Sequence, residues 1–178
     1  MKGVNIRNEL LSLTYGCIVR QAIEDNEGDV ETANKQIELI GFNMGQRMVD
    51  EYLAKNECEP CKNFKEVAEK VCGGFKMFLG VDCKMNQKSD TEFSYIFAEN
   101  PLDENVTLSE EHENLDYSNI ICGMIRGALS AVNLRVKCVF VSDRLQKEKR
   151  GQGTSTSPYE IKLDLEEVVK KKLINYED

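Results

Sequence analysis

The apolar residues Val30, Ala33, Ile37, Ile40, Met44, Met48 and Tyr52 recur at intervals of three and four, the period of one face of an α-helix. Asp29 stands where a side chain would cap the start of that helix. A helix of about 25 residues is a rod of about 40 Å. That exceeds what a chain of 178 residues comfortably spans in one fold, so part of it is expected to pack on another chain. Gly41 and Gly45 lie one turn apart inside it. Each costs up to about 1 kcal/mol against alanine, which implies a compensating close approach to another backbone.

The rest of the chain reads by the same periods. Leu11, Tyr15, Ile18, Val19, Ala22 and Ile23 predict a shorter helix over 9–23, and Asn26-Glu27-Gly28-Asp29 is the turn that follows it. Asn63-Phe64-Lys65-Glu66 is a capping box with asparagine as the cap, so a third helix begins near Asn63. Its strongly apolar face carries Phe64, Val67, Val71, Phe75 and Phe78, and it ends at Leu79-Gly80. The period then drops to two over 92–97, where Phe93, Tyr95 and Phe97 alternate with Ser94 and Ile96; 81–85 supplies a partner strand and 86–90 the turn. After a polar loop beginning at Asn100-Pro101, the spacing of Tyr117, Ile121, Met124, Ala128 and Val132 predicts a fourth helix, again with two glycines, Gly123 and Gly127, one turn apart. Leu134, Val136, Cys138 and Phe140, then Tyr159, Ile161, Leu163 and Leu165, predict a second hairpin. Its connection, 143–157, is charged and then rich in Gly, Ser and Thr, the composition of a solvated, mobile loop. The tail 166–178 is expected to form a short helix. With no repeat and no βαβ alternation, this order predicts an α+β fold over 1–178: one domain, mostly helical with four main helices, and an antiparallel sheet built from two hairpins.

Charge and composition remove several functional classes. Thirty-one Asp and Glu against 23 Lys and Arg leave a net charge of -8, which repels phosphate backbones, so nucleic acid is not an expected partner. Lys170-Lys171-Lys172 is read as a solvated face. No window approaches the ~18 consecutive apolar residues of a membrane span. Asn5, Arg7, Asn8 and Glu9 break up what a secretory signal would keep apolar, so a cytoplasmic location is expected. Seven cysteines in that compartment are expected to be reduced and mostly buried.

Few motifs carry chemistry. The single histidine, His112, lies in the acidic run Glu110-Glu111-His112-Glu113, the setting of a surface residue. Neither Ser109 nor Ser118 sits in a strained nucleophile elbow. Gly151-Gln152-Gly153 is followed by Thr154-Ser155 without the lysine of a phosphate-binding loop. Cys58-Glu59-Pro60-Cys61 has the spacing of a redox pair or of half a zinc site. The other cysteines are not spaced as a second zinc pair, and the motif follows a long helix where a redox pair would follow a strand. Cys61 stands two residues before the cap Asn63, near the positive end of a helix. Lys62 and Lys65 favour its thiolate, while Glu57 and Glu59 oppose it. It is therefore a candidate acyl acceptor as well as an ordinary surface thiol.

Taken together, six segments resemble one family over nearly the whole chain. They are Glu9-Leu10-Leu11-Ser12-Leu13-Thr14-Tyr15-Gly16, Gly41-Phe42-Asn43-Met44-Gly45-Gln46-Arg47, Cys61 with Phe64 and Glu66, Gly74-Phe75-Lys76-Met77-Phe78-Leu79-Gly80, Asn100-Pro101-Leu102, and the run from Tyr117 through Gly123 and Gly127 to Leu129. In that order they are similar to the Bet-three-type subunits of the TRAPP (transport protein particle) vesicle-tethering complex. Asp103-Glu104-Asn105 and the length of 143–157 depart from the family pattern.

The resemblance implies an α+β subunit that dimerises through its first two helices, as a homodimer or with a paralogue, and assembles with other small TRAPP subunits. The complex would tether vesicles between endoplasmic reticulum and Golgi, peripheral at the cis-Golgi membrane, and promote nucleotide exchange on a Rab-family GTPase. The subunit itself would be non-catalytic and hold no metal or dissociable cofactor. Cys61 would carry a covalent palmitate, with Phe64, Val67, Val71, Gly73, Gly74, Phe75 and Phe78 lining the acyl channel. Tyr15, Ile37, Gly41, Met44, Gly45 and Met48 would form the subunit interface, and the tail 166–178 would reach towards the GTPase. The alternative on the same scaffold is a stand-alone homodimeric carrier or sensor of a hydrophobic ligand.

Overall fold

Two long helices open the chain in the computed structural model, which describes residues 6–56, 60–149 and 159–169. α1 (Ile6–Asp25) and α2 (Val30–Asn56) are joined by a tight turn in which Glu27 and Gly28 take positive φ. Asp29 caps α2, accepting from the Glu31 amide at 3.1 Å and the Thr32 hydroxyl at 2.5 Å. α3 (Phe64–Gly74) continues into a single π-helical turn (Phe75–Leu79), which Gly80 ends with a left-handed φ of 70°. β1 (Cys83–Gln87), β2 (Glu92–Phe97), α4 (Ile120–Ala131), β3 (Leu134–Ser142), α5 (Arg144–Lys149) and β4 (Tyr159–Val168) follow.

The fold is α+β, as the spacing implies. The two hairpins share one antiparallel sheet in the order β1-β2-β4-β3, because β2 pairs with β4 from Glu92↔Asp164 to Phe97↔Tyr159. Strand alternation sends Phe93, Tyr95, Phe97, Ile161 and Leu163 into the core, each no more than 2% exposed. α3 lies over this layer. Phe64 meets Phe93 edge-on at 5.5 Å between ring centres, and Phe75 sits 5.2 Å from Phe97 and 6.0 Å from Tyr95.

α2 crosses α4 at four glycines. A β-carbon on Gly41 would overlap the Ile120 carbonyl oxygen, and one on Gly45 the Met124 carbonyl oxygen. From the other side, a β-carbon on Gly123 would overlap the Glu38 carbonyl oxygen and one on Gly127 that of Phe42. Arg126 and Glu38 form an ion pair beside the crossing. The close approach implied by Gly41 and Gly45 is therefore made inside the chain. This corrects their assignment to a subunit interface, and that of Tyr15 and Ile37, which are 3% and 0% exposed. The Tyr15 hydroxyl donates to the Tyr117 carbonyl, which holds α1 to the segment ahead of α4. Of the six implied interface residues, Met44 is exposed and Met48 is half-buried.

Two further expectations are corrected. Residues 143–149 do not form part of a solvated loop. Asp143 caps α5 by accepting from the Leu145 amide at 2.8 Å, and Leu145 is buried. Arg144 donates to the Asp103 and Val106 carbonyls, beside a buried Asp103 carboxylate that also accepts from the Tyr159 hydroxyl at 2.9 Å. The charges of Asp143 and Arg144, which read as solvating in the sequence, thus have internal partners. The remainder of the expected loop, 150–157, lies outside the described residues. Residues 166–168, expected to begin a helix, instead continue β4, because β3 extends far enough to pair Leu134 with Val168 and Arg135 with Glu167. The expected helix at 170–178 also lies outside the described residues.

The crossing makes a specific demand on side-chain size. Gly127→Ala is expected to lower unfolding free energy by about 3 kcal/mol through backbone overlap. Gly74→Ala, at a helical position with nothing within 4 Å of the new methyl, is expected to be neutral or to stabilise by up to about 1 kcal/mol. Urea denaturation of both variants checks this, and equal destabilisation would contradict it.

Candidate functional site

Beyond the glycine contacts, α2 carries larger side chains. Met48, Val49, Tyr52 and Leu53 face a cavity of about 650 Å³, a volume typical of sites that enclose a small molecule. Its second wall is Phe64, Val67, Val71 and Gly74 of α3, followed by Phe75, Phe78 and Leu79 of the π turn. The third is Ile121, Met124, Ile125, Ala128 and Leu129 of α4, and Leu134, Leu165 and Val168 complete the lining from the sheet. Such walls favour a hydrocarbon over any polar occupant.

Cys61 borders this space with Pro60, Lys62 and Asn63, and is half-buried. The start of α3 sets its position. Asn63, with φ -147°, accepts from the Glu66 amide at 2.9 Å, and the Glu66 carboxylate reaches back to the Lys62 amide at 2.8 Å. The capping box therefore fixes the residue next to Cys61 as well as the helix end. Cys58 lies outside the described residues, so the geometry of the Cys58–Cys61 pair is not defined. Among the described residues, no group of three or more His, Cys, Asp and Glu is arranged to hold a metal ion. No described helix is long and apolar enough to cross a membrane.

Phe64, Val67, Val71, Gly74, Phe75 and Phe78 all border the cavity. Gly73 does not belong with them. A β-carbon there would strike the Tyr52 hydroxyl, so Gly73 makes room for a side chain that itself lines the cavity. Met48, implied as an interface residue, faces the cavity. The α2 and α4 walls were not anticipated from the sequence. The signal for them was the apolar stripe of α2 running on past its glycines through Met48 to Tyr52, since rods that touch closely at one level leave space at another.

The arrangement defines a class: an α+β unit whose helical layer forms an apolar pocket bordered by a cysteine thiol. The family model for the transport protein particle (TRAPP) component matches residues 11–162, and the chain belongs to that family. It is 43% identical over 172 residues to trafficking protein particle complex subunit 3 of Dictyostelium discoideum, covering 94% of this chain and 88% of that relative. It is 34% identical over 181 residues to trafficking protein particle complex subunit BET3 of Saccharomyces cerevisiae, covering 99% and 90% of the two chains. Among solved structures, it is similar to a Naegleria fowleri trafficking protein particle complex subunit 3 covalently bound to palmitic acid. That match has a TM-score of 0.81 and 39% identity, and covers 93% of this chain and 99% of the other.

The cap beside Cys61 can be tested on its own. Asn63→Ala is expected to cost about 1 kcal/mol and to speed hydrogen exchange at the Glu66 amide. Protection unchanged at Glu66 would show that the cap does not hold this end of the helix.

Proposed function

We propose that the protein is a non-catalytic core subunit of a TRAPP-type vesicle-tethering complex, and that Cys61 carries a palmitoyl thioester whose chain fills the cavity. One juxtaposition carries this reading: a single cysteine, Cys61, stands among the described lining residues of a large apolar space. The covalent palmitate of the Naegleria relative supports it. Each buried methylene contributes about 0.8 kcal/mol, so a palmitoyl chain inside the protein contributes on the order of 10 kcal/mol before entropy and strain. A chain held that firmly acts as part of the core and does not anchor a membrane. In this reading, tethering between endoplasmic reticulum and cis-Golgi and nucleotide exchange on a Rab-family GTPase belong to the assembled complex, to which this subunit contributes surface.

The face offered to a like or related subunit lies on the first two helices, where Met44 is kept from the residues first implied and exposed leucines join it. Leu10 and Leu13 of α1 are 65% and 69% exposed, and Leu39 and Met44 of α2 are 59% and 41% exposed. Large apolar side chains left exposed along two neighbouring helices favour burial against a partner.

The test is the intact mass of protein purified from eukaryotic cells, before and after hydroxylamine. A palmitoyl mass that hydroxylamine removes is expected, lost in Cys61→Ser and retained in Cys58→Ser. Removing the chain empties the cavity, so Cys61→Ser is also expected to melt several degrees below the acylated protein. An equal melting temperature would refute the core role of the lipid. A non-covalent, exchangeable lipid in a homodimer that recruits no related subunits would favour the hydrophobic-ligand carrier instead.

A further inference from the structure

Two other cysteines meet behind the cavity wall. Cys72 lies in the last turn of α3 and Cys83 opens the edge strand β1; both are free, half-buried and packed against the core. Their meeting follows from how α3 rests on the sheet. The Tyr95 hydroxyl donates to the Ala68 carbonyl at 3.2 Å, which pins the helix over β2. Cys72 is one helical turn beyond Ala68. On β1, Met85 pairs with Tyr95, and Cys83 stands two residues earlier on the same inward-facing side. From that shared anchor, with α3 packed on β1, both thiols lie close to the Tyr95 side chain and so beside each other.

We propose that Cys72 and Cys83 are an oxidisable pair, which hydrogen peroxide converts to an intramolecular disulfide that clips the end of α3 to the edge of the sheet. The Cys72 sulfur attacks a peroxide oxygen and the O–O bond breaks. The displaced hydroxide and the thiol proton leave as water, and Cys72 becomes a sulfenic acid. The Cys83 sulfur then attacks the Cys72 sulfur, the S–O bond breaks, and the departing hydroxide takes the Cys83 proton as a second water. Two thiols and one peroxide give one disulfide and two waters, and the sulfurs supply both electrons.

The neighbouring Cys83 thiol lowers the Cys72 pKa, while Cys72 and burial raise that of Cys83; exchanging the roles of the two sulfurs leaves the same disulfide and the same two waters. A second thiol pair, Cys122 and Cys138, is also in contact, but these residues are only 0% and 6% exposed. They form an internal control that peroxide should spare.

Cleavage after Lys70, Lys76 and Lys84 puts Cys72 and Cys83 on separate short peptides. Folded full-length protein would be treated with hydrogen peroxide, its remaining thiols alkylated in denaturant, and the digest mapped. The expected result is a Cys72–Cys83 cross-linked peptide that dithiothreitol separates, with Cys122 and Cys138 alkylated. The oxidised wild type is expected to melt several degrees higher. Cys83→Ala should show no such rise and should leave Cys72 trappable by dimedone. Alkylation of both Cys72 and Cys83 after peroxide, or a link from either to a different cysteine, would overturn the proposal. Because the mapping is made on the wild type, it decides the question even if the variant misfolds.

Discussion

The crossing of α2 over α4 organises the molecule. Four glycines let two helical backbones touch through their carbonyl oxygens and α-carbons, with no side chains between them. Helices held this closely exchange backbone van der Waals contacts over a short length, and everything around them adopts the spacing that remains. α4 is thereby drawn between α2 and the sheet, where Ile121, Ile125 and Leu129 are all buried. The same closeness at one level creates room at another. Past Gly45, Met48 and Tyr52 of α2 line a cavity together with α4, and α3 forms its other side. Crossing and cavity are thus two aspects of one geometric choice.

On the opposite side, polar groups do the joining. Asp103, 1% exposed, accepts from Tyr159 of β4 and lies near the Arg144 guanidinium, which also donates to the Asp103 and Val106 carbonyls. A buried carboxylate is costly to desolvate, and its value here lies in the geometry it enforces. It links the loop after β2, the start of α5 and the start of β4. Burial and the Asp103 charge push the Tyr117 hydroxyl up to about 12, which keeps it neutral and compatible with this interior.

Most helices and strands were legible in the spacing of apolar residues, because a buried face must repeat with the period of its backbone. The Asn63–Glu66 cap was legible for a different reason: it is a local hydrogen-bond pattern that needs no distant partner. The glycine pairs were legible as a close approach but not as to whose backbone. Gly41 and Gly45 specify contact, and only the three-dimensional position of Gly123 and Gly127 shows that the partner is internal. The partner of Arg144 was equally hidden, since Asp103 lies far away in sequence and a charged run looks solvated until a buried acceptor is found. Half of the cavity was legible from the apolar face of α3. The other half belongs to α2 and α4, whose stripes satisfy a core reading equally well, and a void leaves no mark in a one-dimensional pattern.

The chamber between α2, α3 and α4 also has a mechanical meaning. Protein interiors are normally packed as densely as organic crystals, and the walls of an apolar pocket of about 650 Å³ lack that packing on the side that faces it. Where it is dry and unfilled, unfolding collapses it and shrinks the total volume of protein and water, so hydrostatic pressure pushes the chain towards disorder. A hydrocarbon in the chamber restores ordinary density and removes that weakness. The occupant would then serve as a filler that makes the subunit less compressible.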